Sequence, residues 1–117
     1  MALLQLDAMN DHRLIDERSL AFGRTIAAKV KDRPEFIDKA RRTIDRWLLT
    51  ISPSTRGELE QWKTALDGPI EGVLALLTGT DDRSRRLRQS NPFVGVLTPA
   101  ERNAIIKQFR AHDAATA

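Results

Sequence analysis

Residues 83–88 hold four arginines, Arg83, Arg85, Arg86 and Arg88, and no acid. Such a cluster suits phosphate groups or an acidic partner surface. A solvated helix face is the plainer reading, and the sequence leaves both open. The cluster runs through Gln89-Ser90 into Asn91-Pro92-Phe93-Val94-Gly95-Val96-Leu97. Most connectors are polar. This apolar one is expected to lie against the core or against a partner. The candidate partner-binding residues are therefore Arg85, Arg86, Arg88, Asn91, Phe93, Val94, Val96 and Leu97. As an exposed anchor, Phe93 would slow dissociation and be worth on the order of 2 kcal/mol. The arginines would act as a rim that steers encounter.

Other chemistry finds little support. His12 and His112 stand one near each end, with no ligand spacing around either and no cysteine to complete a zinc site. Asp7, Asp11, Asp16 and Glu17 alternate with Arg13 and Arg18, the pattern of a charged helix surface rather than a general acid–base pair. Asp81-Asp82 reads as helix-terminal charge. Ser19, Ser54, Ser84 and Ser90 have no histidine nearby and no nucleophile elbow. Gly68, Gly72 and Gly79 do not form a phosphate-cradling loop. Trp47 and Trp62 read as core anchors. No catalytic, metal-binding or cofactor-binding residue is assigned, and an enzyme is not expected.

The scaffold that must position these residues has 117 residues, 41% hydrophobic and 30% charged. That balance predicts one globular domain able to bury a core without staples. The net charge is only +3. The absence of cysteine fits a reducing compartment. The start Met-Ala-Leu-Leu-Gln-Leu-Asp lacks a basic region before its apolar residues, so it does not resemble a secretory signal. No apolar run reaches the roughly 20 residues that span a bilayer. A cytoplasmic location is expected.

Periodicity predicts an all-α single compact domain of five to six helices over residues 11–113. Residues 1–10, with Leu3, Leu4, Leu6 and Met9, form an arm or a helix start, and 114–117 a frayed tail. Ile15, Ser19, Phe22, Ile26 and Val30 fall on one stripe of a first helix, in which Gly23 allows a close helix–helix approach. Asp32 is the expected cap of a second helix, residues 34–50, which opens at Pro34. Its face of Ile37, Ala40, Ile44, Trp47, Leu48 and Ile51 is the cleanest in the chain, and the helix is expected to be central. Lys39, Arg41, Arg42, Asp45 and Arg46 cover the rest of it. A third helix from Ser52 or Ser54 buries Leu59, Trp62, Ala65 and Leu66. Gly68 would end it in a left-handed cap, with Pro69 opening a fourth, strongly apolar helix. Thr80 is the expected cap of the arginine-rich helix. Thr98-Pro99-Ala100-Glu101 is a capping box for the last helix, which is expected to bury Ile105, Ile106 and Phe109.

Two stretches carry a resemblance. Asp67-Gly68-Pro69-Ile70-Glu71-Gly72-Val73-Leu74-Ala75-Leu76-Leu77 is one. The other runs from Arg85 through Ser90-Asn91-Pro92-Phe93-Val94-Gly95-Val96-Leu97-Thr98-Pro99-Ala100-Glu101 to Arg102. With Ala27-Ala28-Lys29-Val30, Pro34, Ala40-Arg41 and Arg46-Trp47, they resemble small bacterial antitoxin-like proteins from two-gene toxin–antitoxin-type operons. The resemblance implies a cytoplasmic protein that binds and neutralises a co-encoded toxin. It also implies operator DNA and a second copy of the chain as candidate partners. The alternative is a DNA-binding repressor contacting phosphates through the arginine-rich segment. Residues 54–66 and 70–77 would make a poor helix-turn-helix, because the second helix offers no side chain suited to base edges beyond Glu71.

Overall fold

A computed structural model describes the chain from residue 2 to residue 116, and its side chains from residue 13 to residue 110. Leu3, Leu4, Leu6, Asp7, Met9, Asp11, His12 and His112 therefore lie outside the described side chains. The elements are α1 (Ala2–Asp32), α2 (Glu35–Leu48), α3 (Pro53–Asp67), α4 (Ile70–Thr78), α5 (Asp82–Arg88), a 3-10 turn (Val94–Val96) and α6 (Pro99–Thr116). The domain is all-α. Among the described residues there is no strand, and no helix is long and apolar enough to cross a membrane.

The centre of the fold is α4. It packs against α1, α3 and α5. Val73, Leu76 and Leu77 are buried within it. The expectation that α2 would be central is corrected. It lies at one side, against α3 and more lightly against α1. The physical reason is the shape of its pattern. A narrow apolar stripe opposite a charged face marks a surface helix, whereas a central helix is apolar most of the way round. Ala40 and Ile44 are fully buried, while Ile37, Trp47 and Leu48 are half-buried at the edge of the same core.

The close approach at Gly23 is present. A Cβ there would overlap the carbonyl oxygen of Leu77, so only glycine lets α1 lie directly on the backbone of α4. On α1 the inner positions are Ile26, Ala27 and Val30, and Ile15 stands half-exposed.

Three helix boundaries differ from the expected caps. Asp32 is the last residue of α1 rather than a cap of α2, because Pro34 is itself helical (φ −59, ψ −19) and precedes α2 without a side-chain cap. Gly68 is extended (φ −96, ψ −165), not left-handed, as the residue before a proline prefers. Pro69 is then the cap residue of α4 rather than its first helical residue. Asp81, not Thr80, caps α5. Its carboxylate accepts from the Ser84 backbone N–H at 3.3 Å and from the Ser84 hydroxyl at 2.6 Å. These bonds lower the Asp81 pKa below its ordinary value.

The capping box at α6 forms as read. The Glu101 N–H donates to Thr98 Oγ1 at 3.1 Å, and the Thr98 N–H donates to Glu101 Oε1 at 2.9 Å. Among the inner positions of α6, Ile105 is buried, while Ile106 and Phe109 are only partly covered. This helix rests on α1.

Candidate interaction surface

The connector is held by local bonds that turn most of its side chains inward. Asn91 Oδ1 accepts from the Phe93 N–H at 2.9 Å, which closes a turn around the buried Pro92. Phe93 is fully buried, edge-on to Trp62 with ring centroids 6.0 Å apart and planes at 67°. The Trp62 indole N–H donates to the Leu87 carbonyl at 2.6 Å, tying α3 to α5 beneath the connector. Val96 is buried and Leu97 half-buried.

Arg88 is also internal, with only 6% of its surface exposed. Its Nε donates to Ser19 Oγ at 3.1 Å, and its Nη1 to the carbonyls of Leu76 at 2.8 Å and Gly79 at 2.7 Å. The cation thus satisfies carbonyls at the C-terminal end of α4, where a positive charge is favoured. Burial pushes the Arg88 pKa below its ordinary value, and Asp16 and Asp81 partly oppose that shift.

Four of the eight partner-binding candidates, Arg88, Asn91, Phe93 and Val96, are therefore built into the domain rather than offered to a partner. The arginine cluster is divided by helix geometry. Arg88 turns inward, whereas Arg85 lies 3.8 Å from Asp82, and Arg86 lies 3.8 Å from Glu58. Of the four cations, Arg83, Arg85 and Arg86 remain exposed. Phe93→Ala should now act on folding instead of dissociation, costing about 3 kcal/mol as a large-to-small change in a packed core. Denaturant titration checks this. A midpoint equal to the parent's would put Phe93 back at the surface.

Three large apolar side chains are exposed among the described residues: Ile15 (50%), Leu49 (84%) and Val94 (48%). Val94 is the rim between two recesses. One is an apolar notch of about 110 Å³ among Phe22, Ile26, Asn91, Leu97 and Arg102. The other is a groove of about 290 Å³ along α2, lined by Lys39, Arg42, Thr43, Arg46, Trp47 and Gly95. Lys39 Nζ donates to the Gly95 carbonyl at 3.0 Å and pins the connector to the helix.

Comparison with known proteins identifies no relative. No family model, no curated protein and no solved structure matches the chain.

The α2 groove was not among the residues singled out in the sequence, where its cations read as a solvated face. No signal in the residue types set them apart. Asp38 and Asp45 look like partners in the text. In the fold Asp38 meets Arg41 at 3.5 Å, and Asp45 meets Lys63 at 3.4 Å. Arg42 and Arg46 have no ion pair among the described residues.

A further cleft of about 430 Å³ lies between α1 and α5 and includes Arg13, Asp16, Glu17, Leu20, Thr80 and Arg85. Arg13 and Glu17 are 3.5 Å apart and largely answer one another. No group of three potential metal ligands occurs among the described residues.

On the other side of the connector, Lys29 clasps α6. Its Nζ donates to the Val96 carbonyl at 2.8 Å and to Glu101 Oε1 at 2.6 Å, and lies 5.6 Å from the centre of the Phe36 ring. The Lys29 bond, helped by the Thr98 N–H, draws the Glu101 pKa from 4.5 to about 2. A depressed carboxylate pKa stabilises the fold fully above the unfolded value, and the contribution is lost as pH falls through the folded value. The difference in melting temperature between parent and Glu101→Gln should therefore be constant above about pH 4.5 and shrink towards pH 2. A difference independent of pH across that window would mean the clasp is not ionic.

Proposed function

We propose that this chain is an antitoxin-like protein-binding module that restrains a co-encoded toxin by covering part of its surface. The observation that carries the proposal is Val94. It stands half-exposed on a connector whose neighbours Phe93 and Val96 are buried, at the lip of a small apolar notch. A half-exposed aliphatic residue beside an unfilled apolar recess suits one side chain of a partner, the way an interface anchor is seated. The scaffold beneath is stiff. Asn91, Pro92 and Phe93 hold the connector in one shape, so little ordering entropy is lost when a partner docks. Arg85 and Arg86, both exposed, precede the connector in the chain as charges able to steer encounter.

The test is co-expression with the product of the adjacent gene. The two chains are expected to co-purify as a stable complex, and growth inhibition by the neighbour alone should be relieved. Separate elution of the two chains together with unrelieved toxicity would discard the proposal.

A further inference from the structure

We infer that the basic groove along α2 is a docking site for an acidic segment of a partner protein that carries apolar side chains. The inference extends the partner-binding reading by naming the chemistry of the partner. It starts from helix geometry. Lys39, Arg42 and Arg46 follow one another at steps of three and four, so they share one face of α2. Leu49, three residues beyond Arg46, continues the same face. The row is roughly 10 Å long at about 1.5 Å rise per residue.

Two independent features meet there. The first is charge without an answer. Among the described residues Arg42 and Arg46 have no ion pair, while Asp38 and Asp45 of the same helix are engaged by Arg41 and Lys63. None of the residues lining the groove is acidic. The second is apolar exposure. Leu49 and Val94, two of the three exposed large apolar side chains among the described residues, flank this row, one at its C-terminal end and one across the groove. Trp47 lies half-buried between them. Arginine, an aromatic ring and exposed aliphatic side chains together form the composition enriched at protein interfaces.

A nucleic acid fits the same features less well. Binding single strands without sequence preference calls for successive aromatic platforms along a charged track. Here there is one ring, half-covered, on a short row. Apart from the cations and the Trp47 indole N–H, the side chains of the groove offer only the Thr43 hydroxyl, which donates to the Lys39 carbonyl at 3.0 Å. An acidic peptide needs no more than the groove supplies, namely cations for its carboxylates and apolar contacts for its anchors.

The experiment uses the full chain and a fluorescein-labelled synthetic peptide of glutamates around two leucines. Its glutamine counterpart and a single-stranded oligonucleotide of equal charge serve as competitors. Binding is read by anisotropy and located by backbone amide shifts over residues 39–49. The parent should bind the glutamate peptide in preference to both competitors. Paired substitution Arg42→Glu with Arg46→Glu should weaken binding about tenfold or more at low salt, with the difference shrinking as salt is added. Arg24→Glu with Lys107→Glu, the same charge change at exposed positions elsewhere, should leave binding nearly unchanged, and circular dichroism verifies that both pairs stay folded. Failure of the parent to bind the peptide, equal weakening by both charge reversals, or tighter binding of the oligonucleotide overturns the inference. The adjacent gene product separates the two proposals. If it binds the Arg42→Glu, Arg46→Glu variant as tightly as the parent, the toxin-binding reading stands and the groove assignment falls. If it binds neither while the peptide binds the parent selectively, the groove assignment stands and the toxin-binding reading falls.

Discussion

Gly23→Val is expected to destabilise the domain by more than about 3 kcal/mol, the upper end of ordinary overpacking. The obstacle is backbone, not a side chain that can turn away. A Cβ at Gly23 overlaps the Leu77 carbonyl oxygen, lies 3.0 Å from the Leu77 carbonyl carbon and is 3.3 Å from Arg88 Cδ. Relief requires α1 to lift off α4, and the Arg88 bonds to Ser19, Leu76 and Gly79 span that same seam. The comparison that isolates the cause is Gly57→Ala on the exposed side of α3, where an added Cβ meets nothing within 4 Å. There, helix propensity alone acts, and a gain of roughly 0.5–1 kcal/mol is expected. Opposite signs in denaturant titration support the contact. A Gly23→Val midpoint at or above the parent's would show that the two helices are not in backbone contact.

Trp62→Ala is expected to cost about 4 to 5 kcal/mol. Removing a fully buried indole accounts for most of this. Loss of the 2.6 Å indole bond to the Leu87 carbonyl, which keeps the Ser90 N–H at 3.1 Å, adds up to roughly 1 kcal/mol. Phe93 would lose its edge-on partner as well. Trp62→Phe should fall between, about 2 kcal/mol, because a ring is restored while the indole donor is lost and the Leu87 carbonyl keeps only its 3.1 Å bond from the Ser90 N–H. The order parent, Trp62→Phe, Trp62→Ala in unfolding midpoint is the result to look for. Equal midpoints for the two variants would mean that ring volume contributes little beyond the hydrogen bond.

The helices were legible because their signals are local. Apolar residues at steps of three and four mark α1 through α4, and Thr98 with Glu101 marks the start of α6 with a reciprocal bond that needs no tertiary help. Gly23 was legible for a related reason: a glycine inside a helical stripe costs stability and asks for a packing explanation. What could not be read locally is which side of a non-periodic segment faces in. The connector has no period, so Phe93 and Val94 look alike in the text although one is fully buried and the other half-exposed. The burial of Arg88 is not legible because its acceptors are main-chain carbonyls at the end of another helix, which no residue type announces. The groove on α2 needed the connector laid beside it, through a bond between Lys39 and Gly95 that closes across 56 residues. Charge type was visible. Whether each acid would answer the nearest cation was not.

The seating of α6 has a dynamic consequence. Its main support is α1 alone, reinforced at one end by the Lys29 clasp, whereas α3, α4 and α5 are mutually packed and share the Trp62 and Arg88 bonds. Resistance to solvent is then layered. Amides of α6 are reached through detachment of that helix, a partial opening that leaves the other layers closed, while those around Leu76 and Leu87 wait for global unfolding. Native-state hydrogen exchange is therefore expected to sort this small domain into an outer leaf and an inner block.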